Sequence, residues 1–163
     1  ERPQLAWMGG PQVLEMVWQD QTITLVNFHM LPILHMDSPQ ELSQNFQVRA
    51  NEAQALVQLA QQRSPAILGG DANSAPFSEA HRILTSGLND AWRQAGFGLG
   101  HTFPGSTIPG SDRPKINGWY VPQWLARIDY IFVSYEWQTT SARVARFDGV
   151  SDHRGVVATL TLK

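Results

Sequence analysis

Four polar strings hold the side chains of this sequence best suited to chemistry. Asn27 and His29 lie two apart in a β-rich run, so alternation aims an amide and an imidazole in one direction. Such a pair can hold a phosphoryl oxygen from two sides, or be satisfied by backbone at a strand end. In Gly69-Gly70-Asp71-Ala72-Asn73-Ser74, Asp71 and Asn73 are again two apart and are expected to be extended. A carboxylate beside a carboxamide at the exit of a strand can ligate a hard cation and position a phosphate. The plain alternative is an Asx turn capping a helix, which would not need the glycine pair. In Arg127-Ile128-Asp129-Tyr130-Ile131-Phe132, Asp129 falls on the face opposite Ile128, Tyr130 and Phe132. A carboxylate inside an apolar strand needs a partner, because burying it alone is costly. Arg127 on the same face, or a His from elsewhere, could be that partner. Ser151-Asp152-His153 can supply the His, and puts a metal ligand next to a general base; by itself it also suits a polar turn.

Other chemistries lack their residues. There is no Cys, so disulfides, thiolate metal sites and Cys nucleophiles are excluded. No G-x-S-x-G elbow exists, and His35, His81 and His101 lack the spacing of helical zinc sites, so they are read as surface or loop histidines. Gly98-Leu99-Gly100 has no phosphate-loop Lys-Ser/Thr. At 163 residues, 42% hydrophobic, with six Trp and seven Phe, the composition is that of one globular domain. A net charge of -2 exerts no pull on polyanions, which disfavours bulk nucleic acid as a partner. No apolar run approaches the ~20 residues of a membrane span. Glu1-Arg2-Pro3-Gln4 leads almost at once into strand-like sequence, as expected of a piece cut from something longer.

The elements that must position these strings can be read in order. Val13–Trp18 and Thr22–His29 form a hairpin across Gln19-Asp20-Gln21, with Ile23, Leu25, Asn27 and His29 on one face. A helix follows from about Glu41 to Arg63, closed by Pro65. Ala66-Ile67-Leu68-Gly69-Gly70 suits a strand buried on both faces, delivering Asp71. A short helix is expected around Phe77 to Thr85 with Gly87 as its stop, and another from Asn89 or Asp90 to Ala95. Residues 96–122 read as one long irregular loop, and strands are expected at Arg127–Val133, Ser141–Phe147 and Val156–Leu162. Hairpins mixed with a helix-connected strand point to a layered α/β arrangement.

Taken in order, Asn27-x-His29, Gly70-Asp71-x-Asn73, Arg127-Ile128-Asp129-Tyr130-Ile131-Phe132 and Ser151-Asp152-His153 resemble the later motifs of the endonuclease/exonuclease/phosphatase superfamily, the DNase-I-like fold. The resemblance implies an α/β (α+β) fold, a two-layer β-sandwich flanked by helices, with the site where strands end. It also implies Mg²⁺ or Mn²⁺ and hydrolysis of a phosphoester by in-line attack of water. His29 would donate to the phosphate, with Asn27 beside it. Asp71 would act near the attacking water and Asn73 would bind phosphate or metal water, both also standing as metal ligands with Asp152. Asp129 would orient His153, which is either base or phosphate stabiliser. The family's earlier Asn and Glu motifs are missing, and Glu15 does not match the latter. Residues 1–163 are therefore expected to be a single partial domain, the C-terminal catalytic half, lacking N-terminal strands and one metal ligand. Self-association through the missing half is one expectation, and a non-catalytic binding or assembly module is the alternative. The substrate would be a nucleic acid, a phospholipid head group or a small phosphodiester, with Trp119 and Tyr120 stacking on it or packing the loop. A membrane would be met only through segments outside this chain, as in a soluble domain of a bacterial anchored or exported protein.

Overall fold

Gln19 and Asp20 both adopt left-handed backbone (φ 48° and 61°), and this two-residue turn joins β1 (Gln12–Trp18) to β2 (Gln21–His29). Turns of this hand match the twist of the flanking strands, so the connection is one residue tighter than the sequence suggests. The computed structural model describes residues 10–32, 38–105, 113, 115–116, 118–147 and 149–163. From β2 the chain crosses through α1 (Pro39–Gln62) and returns as β3 (Ala66–Asp71), parallel to β2. A parallel return requires such a crossover. Ser38 caps α1 by accepting the Glu41 N–H, and Pro39 sits in the first turn, where its missing N–H is not needed.

The chain continues through α2 (Glu79–Gly87), β4 (Asn89–Asp90), α3 (Ala91–Ala95), β5 (Lys115–Ile116), β6 (Trp119–Tyr120), β7 (Asp129–Val133), β8 (Trp137–Val144) and β9 (Val156–Leu162). The main sheet has the order β1-β2-β3-β7-β4, with β2 and β3 its parallel pair. Alternation divides its side chains between two layers. Val26, Phe28, Met30, Leu68, Tyr130 and Phe132 meet Ala53, Leu56 and Val57 of α1 and Leu84 of α2 in the larger core. On the other face, Ile23, Leu25, Ile67, Ile131 and Val133 meet Trp137, Leu160 and Leu162 of the antiparallel pair β8–β9. The fold is α+β: a mixed sheet with α1 and α2 on one face and a strand pair on the other, α3 packing against β8.

Several expectations change in detail. β3 is not buried on both faces: Ala66 and Leu68 are buried, while Ile67 and Gly69 are half-buried because the strand pair covers only part of its side. α2 starts at Glu79, capped by Ser78, and contains Gly87 rather than stopping before it. β8 begins at Trp137, which is buried and anchors the strand. The segment 96–122 is not wholly irregular: it contains β5–β6, and Phe103 bridges to Ala126. No helix among the described residues is long and apolar enough to cross a membrane.

Candidate active site

Strand register assembles the site. The parallel pairing of β2 with β3 sets His29 opposite Asp71, and the antiparallel pairing of β3 with β7 sets Asp71 opposite Asp129. Three residues far apart in sequence thus form one row, on the face away from the helices. Close approach of β2 and β3 here depends on Gly70: a Cβ on it would lie 1.9 Å from the Phe28 carbonyl oxygen. His29 Nε2 stands 3.6 Å from Asp71 Oδ2, and His153 Nδ1 meets Asp129 Oδ2 at 2.8 Å. The side chains of Asp71 (15% exposed), Asp129 (20%) and His153 (25%) are mostly covered, whereas His29 (48%) reaches solvent. The partner of Asp129 is therefore His153. Arg127 instead pairs with Asp90 (2.9 Å), which also meets His81 Nε2 at 3.2 Å. His81 is buried at this junction and is not a surface histidine. His101 is half-buried, its Nδ1 against the Trp124 carbonyl, and His35 lies outside the described residues.

Asp71 and Asn73 are not both extended. Asn73 has φ 45°, and its N–H donates to Asp71 Oδ1 (2.7 Å), an Asx turn. Its Nδ2 donates to the Met30 carbonyl (3.0 Å), and its own carbonyl accepts from the buried Arg49 (3.0 Å). The turn is thus tied to the end of β2 and the middle of α1, and one Asp71 oxygen remains for other work. Burial pushes the Asp71 carboxyl up to about 6, against the lowering effect of the Asn73 N–H and with the Asp129 charge adding to the rise. For His153, burial works against the charged form, but the hydrogen bond and charge of Asp129 prevail, helped by Asp71 and Asp152, and hold its pKa above the ordinary value.

Ligand atoms of Asp71, Asp129 and His153 all lie within 4.8 Å of one another. Two carboxylates and an imidazole so close, one carboxyl already desolvated, form a donor set that a divalent cation fits. Asp152 is exposed and does not belong to this cluster; its carbonyl accepts the Gly105 N–H. Asn27 is exposed beside His29, with Nδ2 donating to Gln12 Oε1 (3.3 Å), and an open cavity of about 380 Å³ is lined by Gln12, Asn27, His29 and Asp71. A cavity of similar size, about 360 Å³, lies between α1 and α2 and includes no member of the row. Trp119 and Tyr120 sit on the exposed β5–β6 hairpin, with the Tyr120 ring flanked by Lys115 (4.5 Å) and Arg113 (5.0 Å). Sequence reasoning gave no specific place to Phe103, whose ring stands 4.6 Å from that of His153. Its only signal was membership of the long loop.

Residues 10–153 match the model of the Endonuclease/Exonuclease/phosphatase family. No curated protein matches the chain by sequence. Among solved structures, an endonuclease/exonuclease/phosphatase from Beutenbergia cavernae is similar with a TM-score of 0.67 and 23% identity, over 93% of this chain and 39% of that one. The mannosyl-6-phosphatase of Bacteroides thetaiotaomicron gives 0.58 and 21%, over 88% and 53%. The human Nocturnin catalytic domain with bound sulfate gives 0.59 and 20%, over 94% and 52%. At these identities the likeness concerns the fold. The chain spans about half the length of the first solved relatives it matches, 52% and 51%.

Proposed function

Since the chain belongs to the endonuclease/exonuclease/phosphatase family, we propose that it is a divalent-metal-dependent phosphoester hydrolase acting at the row His29–Asp71–Asp129, backed by His153. The observation carrying this reading is the Asp129–His153 bond of 2.8 Å beside a desolvated Asp71. Asp71, Asn73 and Asp152 are assigned as the residues that would hold Mg²⁺ or Mn²⁺; of these, only Asp71 shares a cluster with Asp129 and His153, and Asp152 lies exposed outside it. A cation bound there would offset charge on the phosphoryl oxygens. Without a cation, burial pushes the Asp71 carboxyl up to about 6; a bound cation would favour its charged form, which can accept a proton from water. Asp129 fixes His153 with Nδ1–H as donor and leaves Nε2 for another partner. The raised pKa of His153 keeps its charged form to higher pH, which supports a role as donor to a phosphoryl oxygen over that of base. His29 and Asn27 supply further donors from the rim. The sulfate in the human Nocturnin domain is a tetrahedral oxyanion of the kind such donors suit. The net charge of -2 favours a small or membrane-associated phosphodiester over bulk DNA.

The test is Mn²⁺-dependent hydrolysis of an aryl phosphodiester and an aryl phosphomonoester by the wild type, His153→Ala and Asp152→Asn. Turnover should require metal and fall at least ~100-fold in His153→Ala. Undiminished turnover in His153→Ala, or none with either substrate in the wild type, overturns the reading. A second reading, a binding or assembly module without catalysis, is favoured by one observation: all seven residues of β1 are exposed, with Leu14 and Val17 prominent.

A further inference from the structure

We infer that Thr102 is a positioning residue for the Asp129–His153 pair, an inference that rests on the site reading above. Thr102 lies outside every helix and strand, yet is completely buried. Its Oγ1 accepts the backbone N–H groups of both Ile128 (3.2 Å) and Asp129 (3.3 Å). Its carbonyl accepts the N–H of Arg154 (2.9 Å), the residue after His153, while its own N–H donates to the Ala126 carbonyl (2.8 Å). One residue therefore grips the backbone on both sides of the dyad.

The sheet explains why such a grip is needed. β3 flanks one edge of β7 as far as Asp129, but on the other edge β4 pairs only with Val133 and Phe132. At Ile128 and Asp129 the second edge has no strand among the described residues, and the Thr102 hydroxyl takes the place of one. His153 is on no strand at all, so its placement depends on loop contacts. These come from the same segment: Thr102 holds Arg154, the Phe103 ring packs 4.6 Å from the imidazole, and the Gly105 N–H donates to the Asp152 carbonyl. Residues 102–105 thus form a strap joining the two arms of the site. A 2.8 Å bond between side chains on separate segments survives only if both backbones are fixed to within a fraction of an ångström.

Thr102→Val keeps the volume and removes the acceptor, Thr102→Ser keeps the acceptor, and Thr102→Cys replaces it with a weak one. With Mn²⁺ and an aryl phosphoester, kcat should fall roughly 10- to 100-fold in Thr102→Val with KM little changed, and return to near the wild-type value in Thr102→Ser. Independently of turnover, proton–nitrogen NMR of ¹⁵N-histidine-labelled protein should show the hydrogen-bonded Nδ1–H of His153 in wild type and Thr102→Ser, and lose or shift it in Thr102→Val. Should Thr102→Val fail to fold by circular dichroism, Thr102→Cys serves in its place. A Val or Cys variant that is folded, keeps full turnover and leaves the His153 proton unmoved overturns the inference. If no form, wild type included, hydrolyses a phosphoester but the proton is still lost on removing the hydroxyl, the positioning role stands and the hydrolase reading falls.

Discussion

At Asp71 two unfavourable effects meet: most of its hydration is lost, and Asp129 faces it across the strand pair. Its carboxyl is pushed from an ordinary 3.8 up to about 6. The folded state therefore binds this proton more tightly than the unfolded chain does. Its contribution to stability is complete below about pH 4 and lost as pH rises through about 6, a difference of about 3 kcal/mol at ~1.4 kcal/mol per pKa unit. Asp71→Asn carries no charge to desolvate and can still accept from Asn73. Without added metal it should melt roughly 6–12 °C higher than wild type at pH 8 and about equally at pH 4. Mg²⁺ should narrow the gap by stabilising only the wild type, and turnover should be lost in the variant. Equal melting at pH 8 would show that the carboxylate is not destabilised. Asp71 itself was legible in the sequence, because a Gly-Gly-Asp run at the end of an apolar strand has few purely structural uses. The left-handed backbone of Asn73 was not, since it follows from bonds to Met30 and Arg49, which lie 43 and 24 residues away.

Strand pairing is the element-scale device that turns scattered polar residues into a site, and Gly70 is where it is most exposed to change. An added Cβ would strike the Phe28 carbonyl, which is backbone and cannot turn aside. Gly70→Ala should part β2 from β3, destabilise by about 3 kcal/mol and disperse the His29–Asp71 contact. Gly69→Ala meets nothing within 4 Å and should change stability by less than about 0.5 kcal/mol, judged by urea denaturation. Comparable losses from both would mean that close strand approach at Gly70 is not what the glycine pair provides. The β5–β6 hairpin makes the opposite case, since Trp119 is 81% exposed and packs little. Trp119→Ala should leave the melting temperature unchanged while raising KM several-fold, and an unchanged KM would remove this residue from the substrate surface. Most elements were legible from period, caps and turn residues, including the hairpin, α1 and β9. The choice of His153 over Arg127 as the partner of Asp129 was not. Strand alternation put Arg127 on the face of Asp129 and left His153 to a loop, and only the placement of Asp90 against Arg127 decides between them. His81 was misread for the same reason, because its burial comes from Asp90 and neighbouring rings supplied by other elements.

For the molecule as a whole, the second face of the sheet is the feature with the largest unmet demand. Leu14, Met16 and Trp18 of β1 lie on that face in register with Leu25, Ile23 and Gln21. The β8–β9 pair covers its far side, where Trp18 stacks on Trp137 with centroids 6.1 Å apart. Leu14 remains 66% exposed and Met16 42% exposed, and among the described residues β1 is also an edge strand with no partner along one side. Contiguous apolar surface on an unpaired edge favours association, and a net charge of -2 offers little repulsion against it. The chain in solution is therefore expected to self-associate as concentration rises from about 1 to 100 μM, seen as an increasing weight-average mass in sedimentation equilibrium. Leu14→Lys with Met16→Lys should return it to monomer without lowering the melting temperature, because neither side chain belongs to a core. Self-association abolished together with turnover would mean that the covered face supports the site, while turnover retained by the monomeric variant would place the whole catalytic requirement in the row and its strap. A wild type that stays monomeric at 100 μM and binds no hydrophobic dye would show that this face needs no cover.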